Sequence, residues 1–443
     1  LTAKLSIFVD LLTPQHPARR IKKERHMFQK SSLACVFKSL CFIGGGIAPI
    51  AAQADLVDDS HLKVDMKNLY LDRDFTTSDA VQSKVGNWSQ GFDLQFTSGY
   101  TNTPIQFGMD VDAQYAIRLD SHGDDGSLPM DSSSGRASDN YGRAGATLKM
   151  KYSRTELKVG DMRPELPVAW HDPSRQLDTI FQGAVVESKE IDGLTLTGGR
   201  FWSAVTRESS NHEKFYKYGS TDNLDSDKGL DFGGATWNVT KNFQASYFYG
   251  VMHDIYKQHY VGFAHTVDLG GDFRLRTDAR YFNNKEDGDA LNGKIDNRAF
   301  SGGFTLTKGG HKASIVYQRM FGESIFPTPN GYIPQFYLLN WANQPFMRPQ
   351  ERSWGLGYGY NFAGLGLPGL AFSSRFIKGS DIAQAGRPDG AENERDLAVK
   401  YVVQEGLLKG VGVEWKNYLV QQRDFGHDFS ENRVYVTYTW NVF

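Results

Sequence analysis

Positive side chains recur in this chain at even spacing, most of them beside at least one apolar neighbour. Arg274, Arg276 and Arg280 alternate with Phe273, Leu275, Ala279 and Tyr281, and Arg375 stands beside Phe376. Lys400 lies between Val399 and Tyr401, and Lys63, Lys67 and Arg73 share one face against Leu62, Val64 and Met66. Arg118, Lys416 and Arg433 fall on the polar side of the same kind of run. A row of guanidinium and ammonium groups in a narrow passage replaces, step by step, the hydration that a carboxylate loses on entering. Many moderate sites also let the anion leave. This is chemistry of passage and selection. Signs of turnover are missing: GxSxG and HExxH do not occur, no metal-ligand pair is suitably spaced, and the eleven histidines make a triad only on paper. Asp222, Asp225 and Asp227 could ligate calcium in a loop, but without EF-hand spacing a solvated acidic loop is the simpler reading. Gly355, Gly357 and Gly359 lack GxGxxG spacing and a following helix, so they are no phosphate loop. No catalytic residue, metal or cofactor is assigned.

The elements that position these groups are strands. Phe107, Met109, Val111, Ala113, Tyr115, Ile117 and Leu119 fall on one face, and Gln106, Asp110, Asp112, Gln114 and Arg118 on the other. A period of two over such a length is a strand signal, and no helix segregates this set. Val434, Val436, Tyr438, Trp440 and Val442 repeat the pattern at the end of the chain. About eighteen such segments are expected, near 62–73, 91–100, 104–119, 142–152, 155–161, 179–190, 194–202, 230–238, 242–252, 259–268, 272–283, 298–307, 311–320, 353–362, 369–378, 395–404, 410–423 and 431–442. Long connections at 74–90, 120–141, 162–178, 203–229, 284–297, 321–352 and 379–394 take turns with short ones such as 101–103, 153–154 and 269–271. Two kinds of end imply an outer-membrane barrel, with tight turns on the periplasmic side and long loops outside. Backbone groups in lipid must pair within the protein, so the sheet has to close. The expected fold class is therefore all-β, a transmembrane antiparallel β-barrel of about 18 strands with inward-folded loops. A soluble propeller would show a repeat of roughly 40–50 residues, and none is found.

The first 54 residues read as an address. Met27 and Lys30 precede a largely apolar stretch from Leu33 to Ile50 that ends in Ala52-Gln53-Ala54, the small-x-small pattern of a signal peptidase site. The expected organisation is an over-extended start at 1–26, a signal peptide at 27–54, and a single barrel domain at 55–443. Eight of the 49 Lys/Arg and two of the 51 Asp/Glu lie before Asp55, leaving 41 and 49, a net charge of −8. That acidity argues against nucleic-acid partners. Both cysteines, Cys35 and Cys41, leave with the leader, so no disulfide stabilises what remains.

Several short runs carry a family resemblance: Asn68-Leu-Tyr-Leu-Asp-Arg-Asp74, Trp88-Ser-Gln-Gly91, Gly142-Arg-Ala-Gly145, Thr155-Glu-Leu-Lys-Val-Gly160, Pro164-x-x-Pro-Val168, Asp254-Ile-Tyr256, Arg352-Ser-Trp354, Gly366-Leu-Pro-Gly369 and Glu431-Asn-Arg433. Together, over about residues 62–443, they resemble the OprD family of substrate-specific outer-membrane channels. The resemblance implies a monomeric eighteen-stranded barrel narrowed by inward loops and lined on one wall by a ladder of basic side chains. The stretch Asp172 to Phe201 and the run Asn292-Gly-Lys-Ile-Asp-Asn-Arg298 are most similar to a branch whose cargo is small cyclic or aromatic carboxylates; a sister branch carries basic amino acids and peptides. Ladder positions are best matched by Lys67, Arg73, Lys416 and Arg433. Periodicity adds Arg118, Arg274, Arg276, Arg375 and Lys400, while Glu414 departs from the basic pattern.

The constriction is expected from loops. Segment 161–178 holds three prolines, which stiffen it, with Arg163 and Arg175 as basic candidates and Asp172 and Asp178 as opposing acids. Segment 321–352, with Tyr332, Tyr337, Asn340, Asn343 and Arg348, is the second candidate. Expected partners are small carboxylate substrates, outer-membrane lipid and lipopolysaccharide, and the barrel-assembly machinery, with the protein a monomer or weak trimer. The competing function of another class is an outer-membrane serine peptidase or surface binding protein.

Overall fold

The computed structural model describes residues 56–77, 80–131, 136–219, 224–330, 335–384 and 387–443. The leader expected at 1–54, and with it the readings of residues 1–26 and 27–54, lies outside these residues, as do Asp222 and Tyr332. Among the described residues, one 18-stranded sheet carries the fold. Its strands are β1 (His61–Phe75), β2 (Lys84–Thr97), β3 (Gln106–His122), β4 (Asn140–Tyr152), β5 (Thr155–Met162), β6 (Ile180–Ser188), β7 (Leu194–Val205), β8 (Leu230–Asn238) and β9 (Phe243–Met252). The second half comprises β10 (Tyr256–Gly270), β11 (Phe273–Glu286), β12 (Asp296–Lys308), β13 (His311–Gly322), β14 (Arg352–Asn361), β15 (Leu370–Gln384), β16 (Arg387–Val402), β17 (Gly412–Arg423) and β18 (Phe429–Asn441). Each strand pairs antiparallel with its neighbours. Closure comes from β1 on β18, with Lys63 opposite Asn441 and Arg73 opposite Glu431. No edge is left open to lipid or to another chain.

The period-two pattern fixes which side chains meet lipid. Phe107, Tyr115, Ile117 and Leu119 of β3 are exposed on the outside, whereas Gln114 between them is buried in the lumen. Trp354, Leu356 and Tyr358 face outward, opposite glycines that leave room inside. Inside, the two halves of the wall differ. The inner faces of β6–β13 carry Phe181, Phe201, Phe232, Phe248, Tyr260, Phe282 and Met320, and the loops bring Phe215, Phe326 and Trp341 onto them as one apolar core. Burying such a side chain is worth roughly 1.5–3 kcal/mol, so the loop segments that carry Phe215, Phe326 and Trp341 are held inside the barrel.

Several boundaries differ from expectation. β2 begins at Lys84, and β10 begins at Tyr256, which shortens its connection to 253–255. The expected long connection 379–394 is mostly strand, because β15 and β16 run through it and leave only 385–386 between them. Here polar side chains such as Asp381, Glu392, Asn393 and Glu394 predominate beside the buried Ile382, so alternation gives no signal although the backbone ladder continues. The same holds for the polar, glycine-bearing start of β2.

Candidate functional site

Two loops meet inside the barrel. The first, 163–179, follows β5; the second, 323–351, joins β13 to β14. The Gln335 side chain donates to the Pro167 carbonyl at 2.7 Å, and the Tyr337 hydroxyl donates to the Glu165 carbonyl at 3.1 Å. Trp170 packs edge-on against Phe336 and Tyr337, with centroids 5.3 and 5.6 Å apart. The first loop is tied to the wall by Gln176, which donates to the Lys67 carbonyl at 2.9 Å, while the Lys67 ammonium donates to the Arg175 carbonyl at 2.6 Å. Asn340 anchors the second loop through 2.9 Å to the Ser353 hydroxyl. Arg375 of β15 supports the same loop from below, donating to the carbonyls of Leu339 at 2.6 Å and Trp341 at 3.0 Å.

On the charged side, one carboxylate is surrounded by three guanidinium groups. Glu431 of β18 is buried, 2.5 Å from Arg73 of β1 and 2.5 Å from Arg433 two residues along its own strand. Arg433 also donates to Asn343 at 3.2 Å and lies 4.8 Å from the Tyr418 ring. The third guanidinium, Arg175, is buried and, among the described residues, donates only to the Ser174 carbonyl and hydroxyl, at 3.3 and 3.4 Å, with no partner for its Nε. Burial, and then the Arg433 and Arg207 guanidiniums, push Arg175 down to about 10. A cation held in such surroundings is one that an arriving anion relieves. Next along the wall, Lys416 of β17 faces Arg433 across the ladder, lies 3.3 Å from Glu414 and sits 5.0 Å from the Tyr435 ring.

The opposite arrangement surrounds Arg163. Its guanidinium meets Asp112 at 2.5 Å, Asp93 at 2.7 Å and Asp178 at 3.4 Å. Burial lowers its affinity for the proton, but the three carboxylates outweigh this and hold it above its ordinary value. Asp178 also lies 3.7 Å from Lys67, which links the acidic cluster to the basic one. A cavity of about 390 Å³ opens here, lined by Lys63, Lys67, Asp93, Arg163, Asp178 and Thr437. The first loop thus sets one arginine among acids and another among arginines, so charge of both signs lies along it.

The other expected site residues are distributed differently. Arg276 donates two hydrogen bonds to the Asp278 carboxylate, each 2.8 Å long, within β11 beside Arg280. Arg274 pairs with Asp268 at 2.9 Å near the tight turn 271–272, at the periplasmic rim. Lys400 lies exposed at the same rim, opposite Glu414 in the ladder. Arg118 is bound to Asp139 near the opposite rim. Asp172, expected to oppose the basic groups across the passage, is buried. It pairs with Arg207 at 3.0 Å and accepts from the Ser174 backbone at 2.8 Å, so it shapes the loop.

Periodicity alone does not single out Arg143, which donates to the carbonyls of Thr206 at 2.7 Å and Ser209 at 2.8 Å and to Asp178, joining two loops to β4. Nor does it single out Glu431, although its position two residues before Arg433 puts both on one face.

The sequence and fold match known proteins along most of their length. A family described as outer membrane porin, OprD family, matches residues 54–442. The porin-like protein GalP of Pseudomonas putida is 34% identical over 397 residues, which cover 88% of this chain and 94% of GalP. The solved structure of Pseudomonas aeruginosa OccK9 (OpdG) superposes with a TM-score of 0.84 at 36% identity, covering 87% of this chain and 99% of that one. Pseudomonas aeruginosa OpdK, solved with vanillate, superposes with a TM-score of 0.82 at 32% identity, covering 87% and 99%. With a closed 18-stranded barrel, two inward loops and matches of this length, the chain belongs to the OprD family of substrate-specific porins, channels of the Gram-negative outer membrane.

Proposed function

We propose that this porin passes small carboxylates, cyclic or aromatic ones in particular. The observation that carries the proposal is the surplus of positive charge around Glu431: Arg73, Arg175 and Arg433 against one carboxylate, with no acidic hydrogen-bond partner for Arg175 among the described residues. A carboxylate entering this region gains guanidinium donors in place of water. The Tyr418 and Tyr435 rings beside Arg433 and Lys416 supply flat apolar surface for a ring-bearing solute. OpdK, solved with vanillate, itself an aromatic carboxylate, lends support from a relative. Lys67, Arg73, Lys416 and Arg433 are the ladder residues in this proposal; Arg276 and Arg375 support it from the wall.

A second reading, transport of basic amino acids, draws on the Asp93–Asp112–Asp178 cluster, where three carboxylates share one arginine. Uptake into liposomes separates the two: benzoate should enter faster than arginine, and the reverse order would transfer the assignment to basic solutes. A preparation that opens no conducting pore in planar bilayers would overturn both.

A further inference from the structure

The outer wall of the barrel is not electrically uniform at its extracellular rim. Along β10–β14, Gln258, Asn284, Asn297, Gln318 and Ser353 are buried facing inward, so the residues next to them in sequence face outward. Those neighbours are Lys257, Lys285, Arg298, Arg319 and Arg352, and Lys378 continues the series on β15, beside inward-facing Ile377. Each of six adjacent strands supplies one cation. Lys257 stands opposite Lys285 across one ladder, and Arg319 opposite Arg352 across another. Like charges directly opposed weaken a sheet, so barrel stability does not explain their presence.

Acids offset only part of this charge. Lys285 meets Asp296 at 2.5 Å, Arg352 meets Asp381 at 2.5 Å, and Lys257 lies 3.9 Å from Asp287. Arg298, Arg319 and Lys378 have no ion-pair partner among the described residues. The first two instead lie 5.9 and 4.6 Å from the Phe321 ring, and Nε of Arg319 is buried without a partner. Two to four residues closer to the periplasm on the same strands come Tyr281, Phe300, Ile315, Trp354 and Phe376, all exposed on the lipid side. At the other side of the rim the charges cancel locally, with Lys84 bound to Asp72 at 2.8 Å and to Asp74 at 3.5 Å.

We propose that the strip on β10–β15 binds the phosphorylated head group of an outer-leaflet glycolipid, with the acyl chains lying on the apolar band beneath. Phosphate oxygens satisfy the unpaired guanidinium and ammonium groups, and the repulsion between opposed cations becomes attraction for an anion shared between them. The test is native mass spectrometry of the detergent-purified barrel with hexa-acylated lipid A carrying two phosphates or none. The wild-type protein should retain the phosphorylated form selectively. The combined Arg298→Gln, Arg319→Gln and Lys378→Gln variant should lose about a hundredfold in affinity, and Lys84→Gln should bind as the wild type does. Equal retention of the phosphate-free lipid by the wild type, or binding by the triple variant within twofold of it, would overturn the proposal. Should the triple variant fail to show heat-modifiable migration, the comparison of the two lipids on the wild type decides by itself.

Discussion

The side chain of Gln176 occupies the space that a Cβ on Gly91 would fill. Gly91 lies on the inner face of β2, opposite Lys67, so the first inward loop rests on bare backbone there. Gly250 receives Val168 of the same loop, with a Cβ position only 2.9 Å from Val168 Cβ, and Gly355 and Gly379 receive Asn340 and Glu351 of the second loop. Glycine usually weakens a strand interior; at these positions it creates sockets that let loops approach the wall closely.

Filling one socket should widen the pore. Gly91→Val displaces Gln176 and breaks its 2.9 Å bond to the Lys67 carbonyl, while the outer face of β2 is untouched. Single-channel conductance should rise and discrimination between anions and cations should fall. Unchanged conductance in a correctly folded variant would refute the socket role.

The three guanidiniums around Glu431 depend on its charge. Glu431→Gln keeps the shape and leaves Arg73, Arg175 and Arg433 without a counter-ion, which should cost about 3–5 kcal/mol. Urea unfolding in detergent reads this directly, and a loss below 1 kcal/mol would mean that solvent already screens the cluster.

Arg175 should behave in the opposite way. Among the described residues its side chain bonds only to Ser174, whereas the Lys67 contact uses its backbone carbonyl. Arg175→Gln should therefore leave stability equal or slightly higher, since a cation disfavoured by burial is removed. Benzoate uptake should fall roughly fivefold to tenfold. Normal uptake by this variant would remove Arg175 from the pathway.

Glu351 gives a pH dependence. It sits at the end of the second loop, where burial and the Glu392 carboxylate beside it raise its carboxyl well above the ordinary 4.5. The folded state thus holds this proton more tightly than the unfolded chain does. Its contribution is fully present below about pH 4.5 and is lost as pH rises through the raised folded value. The unfolding temperature of the wild type should fall as pH rises from acid through neutral, and Glu351→Gln should flatten that slope. The same slope in both proteins would assign the effect to other groups.

The leader prediction is checked by the mass of the outer-membrane protein. Cleavage after Ala54 places Asp55 at the mature N-terminus, and a mass that retains residues 27–54 would exclude a cleaved signal peptide.

The barrel was largely legible because alternation is a local property of each strand. Every expected segment corresponds to an observed strand, including the short Thr155–Met162 and Ile180–Ser188. Legibility failed where polar side chains break the alternation, as in the outer parts of β15 and β16. The site was legible only in part. Lys67, Arg73, Lys416 and Arg433 could be placed on an inner face by counting. That Arg163 is enclosed by acids and Arg175 by arginines depends on where a loop comes to rest between strands distant in sequence, and no local pattern encodes that. Asp172 shows the same limit, since its partner Arg207 belongs to another loop.

Closure of the sheet joins the first strand to the last, so the pairing of Arg73 with Glu431 spans 358 residues. Contacts between such remote parts of a chain form late, because the entropy of closing the longest loop must be met first. The basic cluster straddles this seam: Lys67 and Arg73 arrive on one side, Glu431 and Arg433 on the other. A barrel still open at the seam has not brought Lys67 and Arg73 to Glu431 and Arg433, so this cluster is assembled only when the seam closes.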